Sequence, residues 1–489
     1  MSRKLVIDPV TRIEGHGKVV VHLDDDNQVS DARLHVVEFR GYERFVQGHP
    51  YWEAPVLLQR ICGICFVSHH LAGAKAIDDV VGAGVNAPTG IPVAAEKMRR
   101  LGHYAQMLQS HATAYFYLVV PEMLFGMDAP PEQRNVLGLI EADPGLVTRV
   151  VMLRKWGQEI IQTVFGKRMH GISAIPGGVQ KGLTIAERDR FLNGDEGIPS
   201  MAQVMEYAQD GLRVWHDFHE KHRAEVDSFA VVPALSMSLV GDDGNVDYYH
   251  GRLRVTDEHK RVVDDFDYHD YLDHFSEGVE PWSYMKFPFL KKLGREQGSV
   301  RVGTLARMNV TETLPTKFAA DALDRFHGYT HGEANLATLH SNWARAIEII
   351  HAAELIEELL RDPDLQSEDL VTDPGPSGWT GEGVGVVEAP RGTLLHHYRA
   401  DADGAMTFAN LIVATTQNNE VLNRTVRAVA EEQLTGKVEV TEGMMNAIEV
   451  GLRAYDPCLS CATHALGQMP LVVTVVDAAG DVVAERVRS

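Results

Sequence analysis

Arg60-Ile-Cys62-Gly-Ile-Cys65-Phe-Val-Ser-His69 and Asp456-Pro-Cys458-Leu-Ser-Cys461-Ala-Thr-His464 hold all four cysteines of the chain. A gap of two residues lets both sulfurs of a pair face one ion from a tight turn or a helix end. Gly63 removes a side chain where a cluster would crowd the backbone. Four thiolates suit zinc, an iron–sulfur cluster or a soft transition-metal site. Almost the whole chain lies between the two pairs, whereas zinc pairs are usually about 15–20 residues apart. On spacing alone, structural zinc, a redox or catalytic metal and unlinked thiols all stay open. If the pairs share one metal, the chain ends must meet, and the chain is one interlocked unit rather than a row of beads.

The flanks favour catalysis over a closed zinc clasp, which needs no acid–base groups. His69 and His464 follow the pairs, Asp456 precedes the second, and Glu14 lies in Thr11-Arg-Ile-Glu-Gly-His16. Composition excludes other classes. With 46 basic and 68 acidic residues the net charge is −22, which is wrong for a nucleic-acid binder. Four cysteines in 489 residues are not a disulfide scaffold. No apolar run reaches membrane-span length, and the N-terminal run is too short for a secretory signal, so a cytoplasmic location is expected.

Patterning predicts an α+β fold, mainly helical, with a long-helix core and small β-sheets near both ends. Strands Val19–Leu23 and Ala32–Val37 form a hairpin. Helices are expected over 54–82, with the first cysteine pair inside or at its start, and over 92–125 after Pro92, then 147–166, 200–226, 342–362, 421–434 and 440–453. Strands with a short helix are expected within 244–275, a loop over 363–382, and strands over 384–399 and 406–414. His216, His219 and His222 drift around their helix among charges and read as a solvated face. Gly381-Glu-Gly-Val-Gly385 runs into a strand, not a helix, so it fails as a dinucleotide loop, and the chain itself is not expected to bind NAD.

Five motifs in order resemble nickel–iron hydrogenase large subunits: Asp8-Pro-Val-Thr-Arg-Ile-Glu-Gly-His16, Phe39-Arg-Gly-Tyr-Glu43, Arg60–Cys65, Glu388-Ala-Pro-Arg-Gly392 and Asp456–Cys461. The wording is similar to the soluble NAD-reducing branch, for instance in Glu388–His397. The resemblance implies reversible heterolytic cleavage of H2 at a nickel–iron site. Cys62 and Cys458 would be terminal nickel ligands. Cys65 and Cys461 would bridge to an iron carrying CO and CN ligands. It gives Cys458 the role of proton acceptor and Glu14 that of passing the proton outward. Arg391 would lie over the metals, its permanent charge suited to donating to cyanide. His69 would hydrogen-bond near a bridging sulfur, and Glu43 and His464 would hold magnesium. Many relatives have an aspartate before the histidine matching His111; Ser110 stands here, which leaves the orientation of Arg391 without its usual acid.

No thiols remain for iron–sulfur clusters in this chain. The resemblance therefore implies a small iron–sulfur subunit, with diaphorase subunits carrying FMN, further clusters and NAD. It implies nickel-insertion chaperones and a maturation protease that removes 465–489 and leaves residues 1–464 as the catalytic unit. Met469–Val476 is expected as a strand, with a turn at Ala478–Asp481. The alternatives are a hydrogenase with a deazaflavin acceptor and a non-catalytic metal-binding subunit of a respiratory-type complex.

Overall fold

The computed structural model describes residues 3–88, 90–464, 471–477 and 482–488. Helices dominate, and the longest are Val93–Thr113, Pro144–Phe165, Met201–Ser228 and Ser341–Arg361. Ser341–Arg361 is the central rod. It buries Ile347, Ile349, Ile350 and Ile356 together with Arg345, Glu348 and His351, because neighbouring helices Val93–Thr113 and Met201–Ser228 cover it on different sides. Thr184 and Ser200 cap their helices through reciprocal bonds with Glu187 and Gln203, the S/T-x-x-E/Q signature of a helix start.

The expected hairpin is present as Gly17–Leu23 against Val29–Val36, and Arg3–Ile7 adds a third antiparallel strand. This sheet packs on the helix Asn419–Leu434, with the Leu34 N–H donating to Asn423 Oδ1 at 2.9 Å. The two ends of the chain are thereby joined.

Three elements depart from the sequence expectation. Residues 54–82 are not one helix. Ala54–Leu58 tightens into the 3-10 turn Gln59–Ile61, Cys62 is extended (φ −134°, ψ 140°), and helix resumes over Phe66–Val81. Residues 92–125 are interrupted by the π-helical turn Ala114–Val119 before Val120–Phe125. Pro121 lacks an N–H and crowds the carbonyl one turn back, which a widened turn accommodates. The strand expected over 384–399 is a hairpin, Glu382–Ala389 against Gly392–Ala400, turning at Pro390-Arg391. A four-stranded sheet ordered Val300–Arg301, Leu235–Val240, Arg252–Thr256, Val262–Phe266 lies mid-chain, and its strands Arg252–Thr256 and Val262–Phe266 are the ones expected within 244–275.

The glycines of 381–385 have a packing role. A Cβ on Gly383 would lie 2.0 Å from the Ala76 carbonyl oxygen, and one on Gly385 would lie 2.0 Å from that of Ala72. They let the strand Glu382–Ala389 press directly on the helix Phe66–Val81. His216 and His222 are exposed as expected, but His219 is buried at 6% exposure; its ring stacks on Trp215 rather than facing water. In the tail, Leu471–Val476 pairs with Val482–Arg488; the expected turn at Ala478–Asp481 lies outside the described residues. Among the described residues no helix is long and apolar enough to cross a membrane.

Candidate metal centre

The break at Cys62 and the restart at Phe66 aim both thiols of the first pair at the same point. Cys65 is the N-cap of the helix Phe66–Val81. Cys62 Sγ accepts from the Ile64 and Cys65 N–H groups, each at 3.2 Å, and the Cys62 carbonyl accepts from His170 Nε2 at 2.9 Å. The second pair is placed by the short helix Leu459–Ala462. The Cys458 N–H donates to Thr415 Oγ1 at 3.0 Å, and Asp456 takes a left-handed turn at φ 52° just before it.

The four sulfurs lie within 4.8 Å of one another. Cys62 Sγ is 3.5 Å from Cys458 Sγ, Cys65 Sγ is 3.2 Å from Cys461 Sγ, and Cys458 and Cys461 are 2.8 Å apart. All four are free thiols and buried. Burial and the neighbouring sulfurs push the Cys458 and Cys461 thiols up, whereas those same sulfurs hold Cys62 down. Four thiols this close cannot all ionise without a cation among them, and soft donors suit a soft or borderline metal.

Beside the sulfurs is a small cavity of about 10 Å³ lined by His69, Ala389, Arg391, Leu394, Val413 and Thr415 as well as Cys65, Cys458 and Cys461. Two buried donors at this cavity, Arg391 Nη1 and His69 Nε2, have no hydrogen-bond partner among the described residues. Orphaned donors at an apolar-walled cavity beside four thiols fit a metal whose other ligands accept hydrogen bonds.

Each sequence candidate has a definite place. Glu14 and Cys458 form a parallel β-bridge, with the Leu459 N–H donating to the Glu14 carbonyl at 3.0 Å. The Glu14 carboxylate then reaches Cys458 Sγ at 3.0 Å while accepting from the Ser460 N–H at 3.0 Å. Arg391 donates to the Asp456 carbonyl at 2.7 Å and its carboxylate at 3.0 Å. Asp456 thus supplies the acid that Ser110 does not; Ser110 Oγ is buried with no hydrogen bond among the described residues. Arg307 fixes the backbone leading into Arg391. Its guanidinium donates to Glu348, Glu388 and the carbonyls of Ala389 and Pro390.

His69 Nδ1 lies 3.0 Å from His396 Nε2, and the Tyr398 hydroxyl bonds the other nitrogen of His396. Burial lowers the His69 pKa to about 4 and raises that of Tyr398 well above its usual value, so the imidazole is neutral and the phenol protonated. With Tyr398 donating, each ring passes its hydrogen bond on, and His69 Nε2–H is left as a donor to the cavity.

Glu43 and His464 meet on the other side of the second pair. His464 Nδ1 is 3.0 Å from Glu43 Oε1, yet neither ring nitrogen makes a hydrogen bond among the described residues. Glu43 also accepts from the Leu411 N–H at 2.8 Å. Burial opposes its charge, but His464 and that N–H hold the carboxyl below its usual range. His396, Tyr398, Thr415, His170 and Arg307 were not singled out by sequence. Only the histidine at 396, inside the motif stretch Glu388–His397, offered a signal.

The comparisons agree with this geometry. The family model described as nickel-dependent hydrogenase matches residues 40–121 and 200–464, and one described as HoxL-like matches 4–39. The chain is 76% identical over 488 residues, covering 100% of both chains, to "NAD-reducing hydrogenase HoxS subunit beta" of Cupriavidus necator. It is 38% identical to a chain of an F420-non-reducing hydrogenase of Methanococcus voltae, covering 96% of this chain and 97% of that one. A crystal structure of an NAD+-reducing [NiFe]-hydrogenase in the H2-reduced state superposes with a TM-score of 0.89 at 46% identity, covering 94% of this chain and 99% of that one. A model match across most of the chain, and identity that runs its full length through both cysteine pairs, place it in the nickel-dependent hydrogenase family, on the large-subunit side.

Proposed function

We propose that this chain is the H2-cleaving subunit of an NAD-reducing hydrogenase. The observation that carries the reading is the convergence of four buried thiols from opposite ends of the chain, with a carboxylate on one sulfur and a guanidinium at the adjoining cavity. Cys62, Cys65, Cys458 and Cys461 would hold nickel and an iron with CO and CN ligands. When bound, that centre supplies the heterolytic cleavage of H2 and takes up its two electrons. The protein handles the proton. Cys458 Sγ is the nearest base to the site, and the Glu14 carboxylate receives the proton and, being partly exposed, passes it outward. Arg391, held by Asp456, and His69, set by His396 and Tyr398, keep unpaired donors at the cavity, where they would serve the diatomic ligands and a sulfur. They fix the centre without exchanging protons with it. Glu43 and His464 would hold magnesium through a carboxylate oxygen and an imidazole that already lies against it.

Electrons leave through a small iron–sulfur subunit and reach NAD on diaphorase subunits that carry FMN, in the cytoplasm. Residues 1–464 act as one interlocked unit. Nickel-insertion chaperones fill the site, and a protease then removes 465–489. The archaeal relatives named for not reducing F420 lend a deazaflavin acceptor no support, and the intact thiols disfavour a non-catalytic scaffold. The test is infrared spectroscopy with metal analysis, on the full chain and on chain ending at His464. Bands in the carbonyl and cyanide region with nickel and iron near one to one support the reading, as does H2-dependent NAD reduction by the co-purifying complex. One zinc per chain and no such bands would overturn it.

A further inference from the structure

A second set of metal-ligating groups lies away from the cysteines. His219 Nε2 and His340 Nε2 approach the same carboxylate oxygen, Asp227 Oδ1, at 2.9 and 3.0 Å. The ligand atoms of the three residues lie within 4.8 Å of one another. The Tyr329 hydroxyl meets the other oxygen of Asp227. Four polar groups thus converge from three segments: the C-terminal part of the helix Met201–Ser228, the last residue of Lys317–Tyr329, and the 3-10 turn Thr338–His340.

His219 and Asp227 are eight residues apart on one helix, a rise of about 12 Å if it ran straight. They meet because the helix breaks at His222, where φ is −123° and ψ 23°. The imidazoles are walled by aromatic rings. His219 stacks on Trp215 at 5.6 Å, and Trp343 packs edge-on against His340 at 5.8 Å. Asp227 is 33% exposed, so an ion can enter and keep a water. Burial lowers the His340 pKa to about 4, which leaves its imidazole neutral, the form that binds metals.

We infer that His219, Asp227 and His340 form a second metal site for a borderline divalent ion of the zinc class, with Tyr329 or water completing it. Two imidazoles and one carboxylate are an ordinary zinc donor set with an open position. The spacing is close to what zinc needs. Ligand distances of about 2.0–2.2 Å put tetrahedral neighbours slightly farther apart than the present contacts, so the groups need only spread a little. Each ring proton moves from Nε2 to Nδ1. At His340 that proton faces Asn335, whose amide nitrogen is now 2.6 Å away, and a half-turn of the amide presents its oxygen instead, at the cost of the bond that oxygen now accepts from the Ala337 N–H at 3.2 Å. The ion would pin the kinked helix end to the start of Ser341–Arg361, the rod that carries Arg345 and Glu348.

The test uses the hydrogenase complex with its nickel and iron in place and Zn2+ as the probe, read at the zinc absorption edge, which nickel and iron do not obscure. One zinc per chain is expected, in a nitrogen and oxygen shell with imidazole scattering and no sulfur. It should raise the melting temperature of the complex. His219→Gln and His340→Gln should lose the zinc and the thermal gain, while the nickel and iron edges stay as in wild type and so report an intact fold. Asp227→Asn, the gentlest change, should weaken uptake at least tenfold. No zinc uptake at micromolar concentration, a sulfur shell, or full uptake in both histidine variants would each overturn the site. Because nickel and iron are read on the same sample, failure of the hydrogenase reading would be seen separately.

Discussion

Cys62 and Cys65 sit where a long buried helix begins, whereas Cys458 and Cys461 are carried by a helix of four residues. At the first pair, two backbone N–H groups point at Cys62 Sγ, and the helix start adds its positive end. At the second pair, Cys458 Sγ faces a carboxylate, and its partner sulfur is 2.8 Å away. One spacing therefore serves two tasks. In the first pair Cys62 is set up to be anionic and to anchor a cation, while the Cys62 sulfur and burial push the Cys65 thiol up. In the second, Cys458 faces the carboxylate that, in the function proposed above, would take its proton onward.

The strongest way to break this division is to delete a sulfur. Cys65→Ala and Cys461→Ala should both abolish nickel retention and H2 oxidation, measured by metal analysis and activity. Nickel kept in either variant would mean the two pairs do not share one centre. The next effect separates them. Glu14→Gln keeps the shape of the carboxyl but not its proton affinity. Assembly should survive, with unchanged infrared bands, while H2/D2O exchange falls by about 10²–10⁴-fold, the usual worth of a positioned base. Unchanged exchange would move the proton exit elsewhere.

Asp456→Asn tests the acid standing in for the one missing at position 110. Losing a charged hydrogen bond is worth about 1.5–3 kcal/mol, so turnover should drop roughly 10–100-fold, with shifted cyanide bands as Arg391 turns. Shifted turnover without shifted bands would place Asp456 in a purely structural role. Tyr398→Phe acts more weakly, through two rings. It should cost about 2–10-fold, a neutral hydrogen bond's worth, and move a carbonyl or cyanide band slightly because the His69 tautomer is no longer fixed. Bands identical to wild type would dismiss the relay.

The smallest effect concerns the helix that carries the first pair. Burial lowers the pKa of Lys75, inside Phe66–Val81, to about 7 from the usual 10.5. The unfolded chain therefore binds more protons between those values, so this group makes stability rise with pH from about 7 to 10.5. Lys75→Met should lack that rise in urea titrations at pH 7 and 9. Equal slopes in the two proteins would mean that Lys75 stays charged in the fold.

The sequence displayed what depends on identity and order: four thiols in two pairs, Glu14, Glu43, Arg391 and His464. It also displayed elements with clean period or caps, such as Gly17–Leu23 and Ser341–Arg361. It hid what depends on distant contact. His219 lies among charged neighbours and reads as solvated, yet Trp215 and Trp343 come from two helices to cover it. The strands on either side of Pro390-Arg391 show no clean period, because 384–395 is buried throughout and does not alternate, although Pro390 and Gly392 are a turn signal within it. Arg307 and Asp456 act on Arg391 through backbone carbonyls and a left-handed turn, features no residue pattern announces.

The bridge between residue 14 and residue 458 also sets an order in time. A ribosome releases the first pair early, and that pair waits, folded or not, until the second pair, almost four hundred residues later, has been made. No truncated product can assemble four sulfurs, however stable its helices. Closing the bridge is thus a physical report that both cysteine pairs have been made and have met.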